Sequence, residues 1–106
     1  MPDSRNAERR WTFLTNHAHV LLCIAEDTET RLRDVAGKVG ITERAAQRIV
    51  ADLVEGGYLT RSRVGRRNQY MVHQQLKFRH PIENGTEIGA LLRLLSDGTN
   101  GEGKRT

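Results

Sequence analysis

The sequence predicts a mainly α-helical domain with a small β-hairpin: three bundled helices, the hairpin, and an extra helix near the C-terminus. Apolar residues recur at helical spacing in three segments of the first half of the chain, and a later segment alternates around a glycine-containing loop. The chain has 106 residues, of which 37% are hydrophobic and 28% charged. That length and composition predict one globular domain rather than a disordered chain.

The first predicted helix follows Thr15 or Asn16, either of which can cap it, and runs to about Glu26. Residues 28–30 interrupt the helical period. Residues 30–32 are then predicted to form a short strand. The apolar residues expected on the inner face of the helix are Val20, Leu21, Ile24 and Ala25.

Two further helices are predicted on either side of a short turn. The first covers residues 33–39 and ends at Gly40, because glycine readily adopts the left-handed backbone of a helix end. Thr42 is expected to cap the next helix, which covers residues 43–55. The residues expected to face inward are Val35, Ala36, Val39, Ala46, Ile49, Val50 and Leu53.

The remaining segments predict a hairpin and a last helix. Residues 58–64 and 69–73 have the alternating, β-branched and aromatic pattern of strands, joined by a loop at 65–68 that contains glycine. Residues 86–95 predict a helix with one apolar stripe. We therefore divide the chain into an N-terminal tail that could join a dimer (1–14), the main domain (15–80), a C-terminal helix that could dimerise (81–96) and a disordered polar tail (97–106).

Positive charge is concentrated in one part of the chain. The 17 basic residues exceed the 13 acidic ones, giving a formal charge of +4, and 14 of the basic residues are arginine. Between residues 42 and 80 there are eight basic and three acidic residues. Such a local excess predicts a polyanionic partner, and arginine suits forked contacts with phosphate and guanine.

Residues 32–50, LRDVAGKVGITERAAQRIV, have the spacing of a helix-turn-helix, with a three-residue turn at 40–42. Over residues 16–73 the sequence resembles the winged helix-turn-helix regulators of bacteria and archaea, the broad group of MarR-, ArsR- and AsnC-type proteins. The segment GGYLTRSRVGRRNQYMV is similar to the wing of that group. The resemblance implies a winged helix-turn-helix fold and a sequence-specific, double-stranded DNA-binding transcriptional regulator.

In such a fold the third helix enters the major groove, and its N-terminal half meets the base edges. Arg44 and Arg48 would then reach the same side and grip guanine, whereas Gln47 could grip adenine. Glu43 would either read cytosine or pair with a neighbouring arginine. The residues expected to bind DNA are Thr42, Glu43, Arg44, Gln47, Arg48, Arg61, Arg63, Arg66, Arg67 and Asn68.

Apolar residues at both ends of the main domain predict a homodimer. A short reading helix covers few base pairs, and twofold symmetry supplies a second one about a turn of DNA away. The alternative is that both end segments fold back on their own domain. The residues expected at the dimer interface are Trp11, Phe13, Ile88, Leu91, Leu92 and Leu95.

Other functions have weaker signals in the sequence. No set of catalytic side chains or phosphate loop stands out, so we expect neither an enzyme nor a cofactor. His19 and Cys23 have i, i+4 spacing that suits a metal, but one cysteine without a CxxC pattern favours no metal site. A protein-docking winged helix and a binder of RNA or single strands remain as alternatives. Without an apolar run long enough for a membrane span or a secretory signal, the chain is expected to be cytoplasmic.

Overall fold

A computed structural model describes the backbone of residues 11–105 and the side chains of residues 11–96. Within that part of the chain, four helices and one two-stranded antiparallel sheet form a winged helix-turn-helix, which confirms the predicted fold class. In chain order the elements are α1 (Asn16–Glu26), α2 (Leu32–Val39), α3 (Glu43–Glu55), β1 (Leu59–Val64), β2 (Arg67–Val72) and α4 (Ile88–Arg105).

The turn between α2 and α3 forms as predicted. Gly40 has a φ of +88°, and its N–H donates to the Ala36 carbonyl at 2.8 Å. The Ile41 N–H donates to the same carbonyl at 3.0 Å. The Thr42 hydroxyl accepts a hydrogen bond from the Ala45 N–H at 3.0 Å and caps α3. These hydrogen bonds satisfy backbone groups at the end of α2 and at the start of α3. They therefore fix the direction in which α3 leaves the turn.

The short strand expected at residues 30–32 is not formed, because Leu32 already begins α2. A strand needs a ladder of hydrogen bonds to a neighbour. Here one bond links this region to the hairpin, from the Tyr70 N–H to the Thr28 carbonyl at 2.9 Å. The prediction of a strand at residues 30–32 is therefore wrong.

The core lies where the three bundled helices meet the base of the hairpin and the start of α4. Val20, Ile24, Val35 and Val50 are completely buried. Tyr58 and Tyr70 are also buried, so both are core residues rather than exposed stacking surfaces. The other members of this buried cluster are Leu21, Ile49, Leu53, Leu59, Ile88 and Leu92. Each such side chain contributes about 1.5–3 kcal/mol by leaving water.

The hairpin is tighter than the sequence predicts. Val64 pairs directly with Arg67, so β2 begins at Arg67 rather than at Gln69. Gly65 and Arg66 alone form the turn, and Gly65 has a φ of +64°. A two-residue hairpin turn requires positive φ, which glycine adopts without steric cost.

Helix α4 begins at Ile88 and is held against the segment that follows the hairpin. The Ile88 N–H donates to the Leu76 carbonyl at 2.8 Å, and the Gly89 N–H donates to the Gln74 carbonyl at 2.9 Å. A Cβ on Gly89 would lie 2.8 Å from the Cβ of Gln74, so glycine permits this close approach. The backbone continues as helix to Arg105, whereas the sequence predicts a disordered polar tail from residue 97.

Candidate nucleic-acid interface

Helix α3 has one buried side and one polar side. Four residues pack into the core, namely Ala46, Ile49, Val50 and Leu53. The first two turns expose a different set, Glu43, Arg44, Gln47 and Arg48. Glu43, Arg44 and Arg48 form no ion pair with another described side chain. Glu43 therefore does not pair with a neighbouring arginine, which was one of its two expected roles. These charged side chains are therefore available to an external partner.

Thr42 lies at the N-terminus of this polar side. Its hydroxyl oxygen accepts from the Ala45 N–H, so part of its hydrogen-bonding capacity is already used to cap α3. The hydroxyl proton remains available to donate. A helix N-terminus also carries partial positive charge from its unsatisfied N–H groups. Thr42 can therefore cap α3 and, together with the N–H groups of the first turn, bind an anion.

The arginines of the hairpin lie on two faces. Arg61 pairs with Tyr70 and Arg63 pairs with Asn68, so these residues share the face whose base contains Leu59. Arg67 pairs with Val64 on the opposite face, and Arg66 lies in the turn. All four arginines are exposed. The tip of the wing therefore presents positive charge in several directions.

The hairpin is fixed at its base. The His73 N–H donates to the Tyr58 carbonyl at 3.0 Å, and the Tyr58 hydroxyl donates to the Lys77 carbonyl at 2.6 Å. Thr60 Oγ1 and His73 Nε2 are 2.6 Å apart. Leu59 is 2% exposed, whereas Val64 at the tip is 59% exposed. The wing is thus anchored at one end and solvated at the other.

The spacing of residues in the sequence does not predict the contact between His17 and Asp52. His17 Nε2, in the first turn of α1, lies 2.9 Å from Asp52 Oδ2 near the end of α3. The two residues are 35 positions apart, and no sequence motif connects them. Both side chains are about half exposed, so the pair adds little stability but marks where the two helix ends meet.

The residues expected at a dimer interface divide into two groups. Ile88 and Leu92 are each 4% exposed because they pack into the core of their own domain, and this part of the expectation needs correction. Trp11 and Phe13 are 76% and 91% exposed, and their rings meet edge to face with centroids 5.0 Å apart. Leu91 and Leu95 are half-buried. One exposed apolar residue on α4, Leu94, was not among those expected from the sequence.

The arrangement around Cys23 does not resemble a metal site. Cys23 is half-buried, and burial raises the pKa of its thiol, with Lys38 opposing and Glu26 reinforcing that rise. A thiol with a raised pKa is less often the thiolate that binds metals. His19 Nδ1 lies 3.3 Å from Asn16 Oδ1. Among the described residues, no three histidine, cysteine or acidic side chains gather in a way that could hold a metal ion.

Part of the chain matches a known protein family. Residues 14–63 are similar to the IclR helix-turn-helix domain. The match spans 50 of the 106 residues and supports a winged helix-turn-helix transcriptional regulator. The matched region contains α1, α2, α3 and most of β1, whereas the wing turn, β2 and α4 lie beyond it.

No curated protein matches this chain. Its resemblance to MarR-, ArsR- and AsnC-type proteins stays at the level of the common fold, since the matched model is of the IclR type. In the part of the chain that the structure describes, no helix has the length and apolar character required to cross a bilayer.

Proposed function

We propose that this regulator binds specific sequences of double-stranded DNA, with α3 in the major groove and the wing on the backbone or in the minor groove. The observation that carries the proposal is the exposed polar side of α3, where Arg44, Gln47 and Arg48 lie opposite the buried face. Because the buried face holds α3 in one orientation, these side chains are presented together. An α-helix fits the major groove, where every base pair has a distinct pattern of donors and acceptors.

Each residue of that side has a base or phosphate that suits its chemistry. Arg44 and Arg48 can donate two hydrogen bonds each to guanine O6 and N7, and Gln47 can bond both N6 and N7 of adenine. Glu43 can accept from the amino group of cytosine. Thr42 and the α3 N-terminus suit a phosphate, which would set the register of the helix along the duplex.

The wing is expected to add affinity more than specificity. Arg66 and Arg67 at the tip suit phosphates or a narrow minor groove, whose negative potential attracts arginine. Arg61, Arg63 and Asn68 share the other contact face, closer to the domain. With charges on both faces, the wing can follow the backbone even where the local DNA shape varies.

Selection of bound duplexes from a random pool at physiological salt tests the proposal. A specific regulator should enrich one short motif, and a dimer should enrich two half-sites about one helical turn apart. Enrichment of no motif, with affinity that falls steeply as salt rises, would restrict the function to non-specific binding. No measurable affinity for duplex DNA would favour the alternative, a winged helix that docks to protein.

We also propose a homodimer that uses Trp11 and Phe13 together with the exposed side of α4. The two aromatic side chains are 76% and 91% exposed although their rings contact one another. Leu94 is 69% exposed, and Leu91 and Leu95 are partly exposed beside it. Contiguous exposed apolar residues mark a binding surface in small proteins. The buried Ile88 and Leu92 instead hold α4 in place.

Sedimentation of the wild-type chain and two variants tests the dimer. The wild type should sediment as a dimer, and Leu91→Glu with Leu95→Glu should give a folded monomer with much weaker operator binding. Trp11→Ser with Phe13→Ser should do the same at less risk to folding, because both side chains are exposed. A wild-type chain that remains monomeric at high micromolar concentration would contradict the proposal.

A further inference from the structure

A cavity of about 600 Å³ lies between the start of α1, the end of α3, the segment before α4 and the first turns of α4. Its walls are mainly apolar and include Ala18, Leu21, Leu53, Phe78 and Leu91. Sites for small molecules generally have volumes of about 300–1,000 Å³, apolar walls and a few polar groups. The size and lining of this cavity therefore fit a small organic ligand.

The polar side chains that line the cavity include His17, Asp52, Glu55 and Arg79, and these four differ in what they already contact. His17 and Asp52 pair with each other at 2.9 Å. Glu55 and Arg79 have opposite charges, but neither forms an ion pair with the other or with another side chain among residues 11–96. Both are exposed at the rim. The cavity thus offers, in Glu55 and Arg79, a carboxylate and a guanidinium that no described side chain pairs, beside an apolar interior.

We propose that this cavity binds a small zwitterion with an apolar body, such as a hydrophobic α-amino acid. Its side chain would lie among Leu21, Leu53 and Phe78, where apolar surface gains most from leaving water. Its ammonium group would pair with Glu55 and its carboxylate with Arg79. An apolar amine or an apolar acid would satisfy only one of these two groups.

The position of the cavity connects a ligand to the reading helix. Leu53 and Glu55 belong to the last turn of α3, whose first two turns carry Arg44 and Arg48. A ligand in the cavity would contact α1, α3 and α4 together. The binding site itself is independent of the proposed function, since it can be measured with the regulator alone and without DNA.

Isothermal titration of the full chain with L-leucine and L-phenylalanine is the first test. At least one should bind with one molecule per chain. L-Phenylalaninamide lacks the carboxylate and N-acetyl-L-phenylalanine lacks the ammonium, so each should bind about threefold to fivefold more weakly than L-phenylalanine, as expected for an exposed ion pair. Absence of binding by both amino acids would overturn the proposal, and so would equal affinity for all three phenylalanine compounds.

Substitutions at the rim test whether the ligand's carboxylate pairs with Arg79 and its ammonium group with Glu55. Arg79→Gln should weaken L-phenylalanine binding by the same factor of about threefold to fivefold, but leave the amide unchanged. Glu55→Gln should weaken L-phenylalanine but leave the N-acetyl compound unchanged. Both residues are exposed, so neither substitution should impair folding. Equal losses for every compound in either variant would contradict the assigned pairing.

A cavity-filling substitution then tests the location. Ala18→Phe adds a ring to the cavity wall and should abolish amino-acid binding, with thermal unfolding used to verify the fold. Ala51→Phe is the matched control, because Ala51 is exposed and does not line the cavity. If Ala18→Phe fails to fold, the effect of Arg79→Gln on L-phenylalanine binding tests the location instead. Unchanged binding to a folded Ala18→Phe chain would exclude this cavity as the site.

Discussion

Helix α3 and the hairpin carry the two candidate DNA-binding surfaces, yet they are held in different ways. Four buried residues distributed over α3 pack into the core: Ala46, Ile49, Val50 and Leu53. The hairpin has fully buried residues only near its base, at Leu59 and Tyr70. Every residue from 60 to 67 is exposed. One surface is therefore fixed along its length and the other only at its attachment.

This difference suits two kinds of interaction. Hydrogen bonds to base edges require side chains held within a fraction of an ångström of the productive geometry, which a packed helix can provide. Binding to phosphates depends mainly on charge and tolerates movement, which a solvated arginine tip can provide. From this comparison we expect α3 to supply most of the specificity and the wing to supply most of the salt dependence.

The largest effect should come from breaking the attachment of the hairpin. Leu59→Ala removes a side chain that is 2% exposed and should lower the free energy of unfolding by roughly 2–5 kcal/mol. The matched change near the tip, Val64→Ala, should alter it by about 0.5 kcal/mol or less. Urea denaturation measures both values. Similar decreases for the two variants would mean that the tip is packed as firmly as the base.

Substitutions on the reading helix should reduce specificity. Arg44→Ala or Arg48→Ala should each cost roughly 1–3 kcal/mol of binding free energy on the selected site and less on random DNA, because each removes hydrogen bonds to a particular base. Fluorescence anisotropy with both duplexes measures the difference. Arg93→Ala, a change of the same charge on α4, is the control. Equal decreases on the two duplexes would assign the substituted arginine to a phosphate.

Removal of the α3 cap should have a smaller effect. Thr42→Ala removes the hydrogen bond to the Ala45 N–H and should lower the free energy of unfolding by about 1 kcal/mol. Thr42→Ser retains the hydroxyl and should stay closer to the wild type. Thermal and urea unfolding compare the three chains. A cap that contributes nothing would leave Thr42→Ala as stable as Thr42→Ser.

The wing tip should give the smallest change in stability. Arg66→Ala with Arg67→Ala should shift the free energy of unfolding by about 0.5 kcal/mol or less, because both side chains are exposed. The double variant should weaken binding to all duplexes alike. The slope of log affinity against log salt should fall by about 0.9 for each phosphate that the variant no longer neutralises. An unchanged slope would remove the wing tip from the interface.

Local patterns predicted the elements well where a residue has one favourable conformation. Gly40 and Thr42 identified the helix-turn-helix because left-handed glycine and a capping hydroxyl act within one turn of the chain. The strand expected at residues 30–32 failed because strand formation depends on a partner elsewhere in the molecule. The early start of β2 at Arg67 likewise depended on pairing with Val64.

The candidate site shows the same division. By itself, the sequence determined the helical bundle, the arginine-rich hairpin and the polar side of α3, since periodicity and charge are local properties. Only the tertiary structure decided that Ile88 and Leu92 belong to the core, that Arg67 lies in β2 on the face opposite Arg61 and Arg63, and that His17 meets Asp52 beside a cavity. These features depend on how distant segments pack, and sequence spacing does not specify which apolar residues remain uncovered after packing.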